Sequence, residues 1–236
     1  MSYPGITSEA LYLLAENRFH DSKAFYEEHK EEIRRRVVFP LRELCAELAP
    51  TVLAIDEKII VEPNRNGCVS RVRRDTRFSK DKMLYRENMW VAFQRDKTQW
   101  DGCLPAFYMD FSVNRTDWGL GFYSATPVVM QALRLAASAQ PKRFLQAVKS
   151  AEKAGFFLSG QAYAKPRHPE NAPEKLWPFY DLRSVDLNRR EAPSFVTAPG
   201  LPETLKAGFT ALAPLYGLLT EAMEIAGGYR MIPAKE

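Results

Sequence analysis

Cysteine is scarce in this chain: Cys45, Cys68 and Cys103 are an odd number at wide spacing. That excludes a disulfide scaffold, and with no Cys-x-x-Cys pair it excludes a zinc ribbon or a thioredoxin-type motif. Free, buried thiols in a reducing compartment are the plain reading, and a cytoplasmic location is expected from it. No run approaches the roughly 18 uninterrupted apolar residues of a membrane span. The most apolar stretch, Ala207 to Leu219, is broken by Pro214, so no membrane partner is expected. The first residues lack a basic region followed by an apolar one, so no secretory signal is expected either. Disorder is excluded by a 46% hydrophobic content and by charges that nearly cancel. No fixed-period repeat and no long linker divides the chain.

Familiar catalytic motifs are missing too. There is no Gly-x-x-x-x-Gly-Lys and no Gly-x-Ser-x-Gly. Gly119-x-Gly121 lacks the third glycine of a dinucleotide loop, so it is expected to let a neighbour pack close to a strand. His168-Pro169-Glu170 echoes the His-x-Glu of zinc deaminases without their Pro-Cys-x-x-Cys. Nothing brings His20, Asp21 and His29 to one place, so no metal site is expected, and no cofactor is identified.

What the chain has is charge in one place. Between Arg65 and Lys82 lie seven basic residues against Asp75 and Asp81, a net of +5. The remaining 26 basic and 27 acidic residues leave −1, so the formal +4 of the whole chain is local. A pI near 8.9 therefore does not describe a generally basic protein.

Periodicity sets the fold expectation. Thr7 or Ser8 can cap a first helix, and Asp21 or Ser22 a second. Phe25, His29, Ile33, Val37, Leu41, Leu44 and Leu48 then recur at helical spacing. Pro40 should kink or split that helix and Pro50 should end it. Lys58 to Glu62, Cys68 to Arg74, Asn88 to Gln94, Leu104 to Val113 and Asp117 to Ser124 read as strands. In the fourth, Phe107, Met109, Phe111 and Val113 alternate with Tyr108, Asp110 and Ser112, which predicts a sheet with one polar face. Helices are expected after Pro127, from Pro141 to Ala154 and from Pro202. Phe156 to Lys165 reads as strand, Pro166 to Pro178 as irregular, and Tyr180 to Arg190 as strand or extended loop. The expectation is one α+β domain over residues 1–236, mainly an antiparallel sheet with N-terminal and C-terminal helices packed on it. Residues 1–50 would be helical, about 57–125 the sheet core, and 126–236 helices and irregular segments.

The basic segment carries a family likeness. Arg71, Arg74, Asp75, Thr76, Arg77, Phe78, Ser79, Lys80, Asp81, Lys82, Tyr85 and Arg86 resemble the signature of the domain of unknown function 2461 family, a set of bacterial and fungal proteins of about this length. Phe25-Tyr-Glu-Glu-His-Lys30, Gly119-Leu-Gly-Phe-Tyr123 and Trp177-Pro-Phe-Tyr-Asp-Leu-Arg183 extend the likeness over most of the chain. Phe25 stands where Trp is usual, His29 where Asn is usual, and Met83-Leu84 where a Pro often precedes the Tyr. The resemblance implies a fold and a site and names no reaction.

Read from the residues themselves, a strand over Cys68 to Arg74 puts Arg71 and Arg73 on one face and Val72 and Arg74 on the other. Asp75-Thr76 then opens a loop that Phe78 would anchor in the core. Three readings stand. In the first, Arg71, Arg74, Arg77, Lys80, Lys82 and Arg86 hold a phosphate-bearing or acidic small molecule; Asp75 or Asp81 orients the arginines or moves a proton, and Tyr85 donates a hydrogen bond. In the second, the same surface contacts nucleic acid without catalysis, with Tyr108, Trp118, Tyr123, Phe179 and Tyr180 as candidate stacking groups. In the third, the charges form an ion-pair staple in a protein-interaction module. A convergent concavity favours the first and an exposed stripe the second. Oligomeric state stays open.

Overall fold

The computed structural model describes residues 3–65, 67–77, 79–99 and 103–227. The expected anchoring of the loop by Phe78 lies outside the described residues. Helix α1 (Ser8–His20) starts where the Thr7 side chain accepts from the Ala10 amide, and α2 (Lys23–Ile33) where Ser22 accepts from Phe25. Between them Asp21 adopts a left-handed conformation (φ 44°). The expected split at Pro40 takes the form of one wide turn: Arg34–Val38 is π-helical, and the chain runs straight on into α3 (Phe39–Ile55). The wider turn spares the proline ring its clash with the preceding carbonyls.

Pro50 does not end α3, contrary to expectation. Leu48 and Val52 on either side are fully buried, and α3 packs on α7 (Leu201–Gly227) and on β2 (Asn88–Arg95). That burial outweighs the roughly 3 kcal/mol penalty of an internal proline. Helix α7 likewise runs through Pro214, and the Ser150 hydroxyl donates to the Ala211 carbonyl beside that break.

Six strands form one antiparallel sheet in the order β1-β2-β3-β4-β6-β5. They are β1 (Ile59–Ile60), β2, β3 (Pro105–Ser112), β4 (Thr116–Phe122), β5 (Phe157–Ser159) and β6 (Asp186–Glu191). The sheet therefore extends past the expected 57–125 core, because two strands come from the second half and β6 inserts between β4 and β5. Cys68 to Arg74 is not a strand of the sheet. Its first residues pair briefly with β2 (Ala92 N to Cys68 O, Ser70 N to Trp90 O, a bridge from Val69 to Val91), and from Val72 on it leaves the sheet to pair with its own return leg through the bridge from Arg73 to Tyr85. Tyr180 to Arg190 divides into the end of α6 (Trp177–Asp181) and β6. Helices α4 (Pro127–Ala139) and α5 (Pro141–Lys153) follow the expected positions, and Gly155 (φ 82°) closes the second.

Phe93, Phe107 and Trp118 meet Phe209 and Tyr216 of α7, so the apolar face of the sheet is the core. The opposite face carries Trp90, Tyr108, Asp110, Asp117, Asp186 and Asn188. Gly119 and Gly121 serve closeness within the sheet. A Cβ at Gly119 would stand 2.0 Å from the Leu187 carbonyl, and one at Gly121 2.6 Å from Asp186 Oδ1.

Candidate functional site

The basic segment forms a two-legged loop beside β2. Arg74 N donates to Leu84 O and Arg86 N to Val72 O, which zips the legs together. Val72 is buried, so Arg71 and Arg73 both face outward, as alternation requires. The base is clamped from the far N-terminus. Asp21 Oδ1 accepts from the amides of Leu84 (2.7 Å) and Tyr85 (3.0 Å), and Arg18 Nη1 donates to Tyr85 O (2.9 Å).

Asp81 gathers the strongest charge pairing. Arg74 Nη1 lies 2.5 Å and Arg18 Nη2 3.2 Å from Asp81 Oδ2, and the Met83 amide donates to Oδ1. The Met83 amide first, then Arg74, lowers the Asp81 pKa to about 2. Arg74 also donates to Met83 O and Ser79 Oγ. At the tip, Arg77 grips Asp75 through Nε and Nη2 and lowers its pKa to about 2. Lys82 Nζ donates to Thr76 O. Both aspartates are thus engaged within the loop and with Arg18.

The cations of the loop do not converge on one concavity, the arrangement that would have favoured the first reading. Arg71, Arg73, Arg77, Lys80 and Lys82 are exposed, because the narrow two-legged loop points its outward positions into solvent. Tyr85, expected as a donor to ligand, is 2% exposed and stacks on Tyr26 at 4.8 Å, because it lies on the inward side of the returning leg. Arg86 differs from the rest. It is half-buried, its guanidinium lies 4.4 Å over the Trp90 ring, and its Nε donates to Arg71 O. Its Nη nitrogens meet no carboxylate among the described residues. Burial first, and the nearby Arg74 charge second, lower its pKa; Tyr123 and Asp110 offset part of that.

Arg86 stands at the edge of the polar sheet face. Trp90 sits opposite Asp110 in the β2–β3 register, and Asp110 opposite Asp117 in β3–β4. Asn88 Nδ2 donates to Asp110 Oδ2; Oδ1 is sealed, has no hydrogen bond, and has Arg115 Nη2 4.0 Å away. Burial raises the Asp110 pKa to about 6. Asp117, beside it, is held ionised against burial by Arg190 and Arg115. Further along the face, Tyr108 donates to Asp186, which also accepts from Ser159 and Asn188; burial raises the pKa of both Tyr108 and Asp186. Of the candidate stacking groups, Trp118, Phe179 and Tyr180 are core residues, Tyr108 is half-buried and Tyr123 is fully exposed.

Sequence reasoning missed the Arg18–Asp21 clamp, and it weighed Asp110 only as a member of a polar face. His20 and His29 stack on the two sides of Phe25, at 4.3 and 4.1 Å, and His168 stacks on Trp177 and bonds Asp181. Among the described residues no group of three metal-ligating side chains comes together. No described helix is long and apolar enough to cross a membrane.

A protein-family model described as "Conserved hypothetical protein (DUF2461)" matches residues 9–217. No curated protein matches the chain.

Proposed function

The chain belongs to the DUF2461 family, and from its own geometry we propose that it binds a phosphate-bearing or acidic small molecule where the basic loop meets the polar face of the sheet. The observation that carries the reading is Arg86, a half-buried guanidinium with free Nη donors and no carboxylate partner among the described residues. Removing a charge from water costs several kcal/mol unless something compensates. An oxyanion seated on its Nη edge would do so in fork geometry. Trp90 holds the guanidinium plane, and Arg115 and Arg190 neutralise Asp117 on the same face. Asp110 gives the site a group that exchanges a proton near neutral pH. Under this reading Arg74, Asp81 and Arg18 brace the loop, and Arg77–Asp75 is a solvent-exposed pair.

Titration calorimetry at fixed ionic strength, with inorganic phosphate, nucleotides, sugar phosphates and dicarboxylates, tests it. At least one should bind wild type, Arg86→Gln should weaken it about tenfold or more, and Arg77→Gln should leave it unchanged. For a ligand whose own charge stays fixed over the range, binding should tighten as pH falls through about 6, because protonating Asp110 removes a like charge. No binding by any of them, or equal affinity in Arg86→Gln for every ligand that binds, sinks the reading.

A second reading draws on Arg71, Arg73 and Lys80. They are exposed and have no hydrogen bond or ion pair from their side chains among the described residues. That outward row suits a polyanion such as nucleic acid, whose affinity would fall steeply with salt.

A further inference from the structure

A second basic cluster lies far from Arg86, beyond the β5 edge of the sheet. Residues 161–163 run antiparallel to 181–183: Ala162 bridges Leu182, Tyr163 N donates to Asp181 O, and Arg183 N to Gln161 O. The pairing sets Tyr163, Lys165 and Arg167 beside Arg183 and against Arg134 of α4. Three guanidiniums surround the Tyr163 ring, Arg167 at 4.0 Å, Arg183 at 5.0 Å and Arg134 at 5.5 Å from its centroid.

None of these arginines, nor Lys165, has a carboxylate within ion-pair distance among the described residues. Asp181, which accepts from the Arg167 amide, is already engaged. It accepts from the amides of Arg167 (2.6 Å) and His168 (3.1 Å) and from His168 Nδ1 (2.8 Å). No ion pair among the described residues balances the four cations. Arg134 is 7% exposed; its Nε donates to Tyr180 O and its Nη2 to Leu182 O, which fixes the guanidinium plane. Its Nη1 has no hydrogen-bond partner among the described residues, and Arg134 lines the adjoining cavity.

Two adjoining cavities share Arg167. One, about 430 Å³, is lined by Tyr163, Lys165, Arg167 and Arg183; the other, about 340 Å³, by Arg134, Arg167, Gln131, Ser138 and Tyr180. The first end is cationic. The second offers the Gln131 amide and the Ser138–Tyr180 hydroxyl pair, 3.0 Å apart. The geometry points to a binding site for a phosphorylated sugar or polyol: the phosphate on Arg167, Arg183 and Lys165, the hydroxylated body against Gln131, Ser138 and Tyr180. A dianion matches the unbalanced charge, and donors that also accept match a polyol body. The site shares no residue with the one at Arg86, so either can stand without the other.

The test is calorimetry of the full chain with ribose 5-phosphate, inorganic phosphate and ribose at one ionic strength. Arg167 and Arg183 are exposed, so their substitution to Gln should leave the fold intact, checked by an unchanged melting temperature. The expected result is that ribose 5-phosphate binds more tightly than phosphate and that ribose does not bind. Arg183→Gln and Arg167→Gln should each weaken the sugar phosphate about tenfold, with Arg86→Gln without effect. The proposal is overturned if ribose 5-phosphate does not bind, if it binds no better than inorganic phosphate, or if its affinity follows Arg86 and ignores Arg183.

Discussion

Asp110 keeps its proton to about pH 6 because its carboxyl is largely removed from water and only one of its oxygens has a hydrogen bond. A folded pKa above the unfolded value is a stability contribution present below about pH 4 and lost as pH rises through about 6. At pH 7.5 the ionised group therefore costs the fold up to about 3 kcal/mol. Asp110→Asn removes that cost. Denaturant unfolding of wild type and variant should show the variant gaining relative stability between pH 4.5 and 7.5; a pH-independent difference would refute the account of Asp110. At this scale the sequence was informative about which residues are charged and which lie on a polar strand face. It was silent on partners. Arg18 and Asp21 stand some sixty residues before Asp81 and Leu84, and no local spacing rule joins residues that far apart.

The loop from Arg71 to Arg86 is an element held by a few bonds rather than by a core of its own. Its return leg depends on Asp21, whose left-handed backbone and single carboxylate oxygen serve two amides. Asp21→Ala leaves both donors without their acceptor and puts a less suitable residue at positive φ, at a cost of about 1–3 kcal/mol. Limited trypsin digestion should then cut within Arg71–Arg77 several-fold faster, while Asp21→Asn, which keeps an acceptor and tolerates the conformation, should stay near wild type. Equal rates for all three would mean that the clamp does not hold the loop. Elements with strong period were legible: the stripe from Ile33 to Leu48, the alternation in β3, and the caps at Thr7 and Ser22. Proline was misread at Pro50, where burial of Leu48 and Val52 prevailed over local preference. The segment at Cys68 was misread beyond Ser70 because β-rich composition does not say where a chain leaves a sheet for its own return leg.

The whole molecule is a six-stranded antiparallel sheet with its apolar face under α7 and a polar face that runs from Arg86 to the Asp186 network. The class of fold was legible because helical and alternating patterns are segregated along the chain. The insertion of β6 between β4 and β5 was not, since strand order depends on long-range closeness such as that of Gly119 to Leu187. The charge excess was legible as a place and not as a pocket: folding engages most of the loop's cations in bracing or in solvent and leaves Arg86 half-buried beside Asp110. The central claim is that an oxyanion belongs at Arg86. Anomalous diffraction from crystals soaked in tungstate, a heavy phosphate mimic, tests it most directly. The account predicts a peak within hydrogen-bonding distance of the Arg86 Nη nitrogens that disappears in Arg86→Gln. A peak confined to the exposed tip at Arg71, Arg73 or Arg77, or none on the polar face of the sheet, would contradict it.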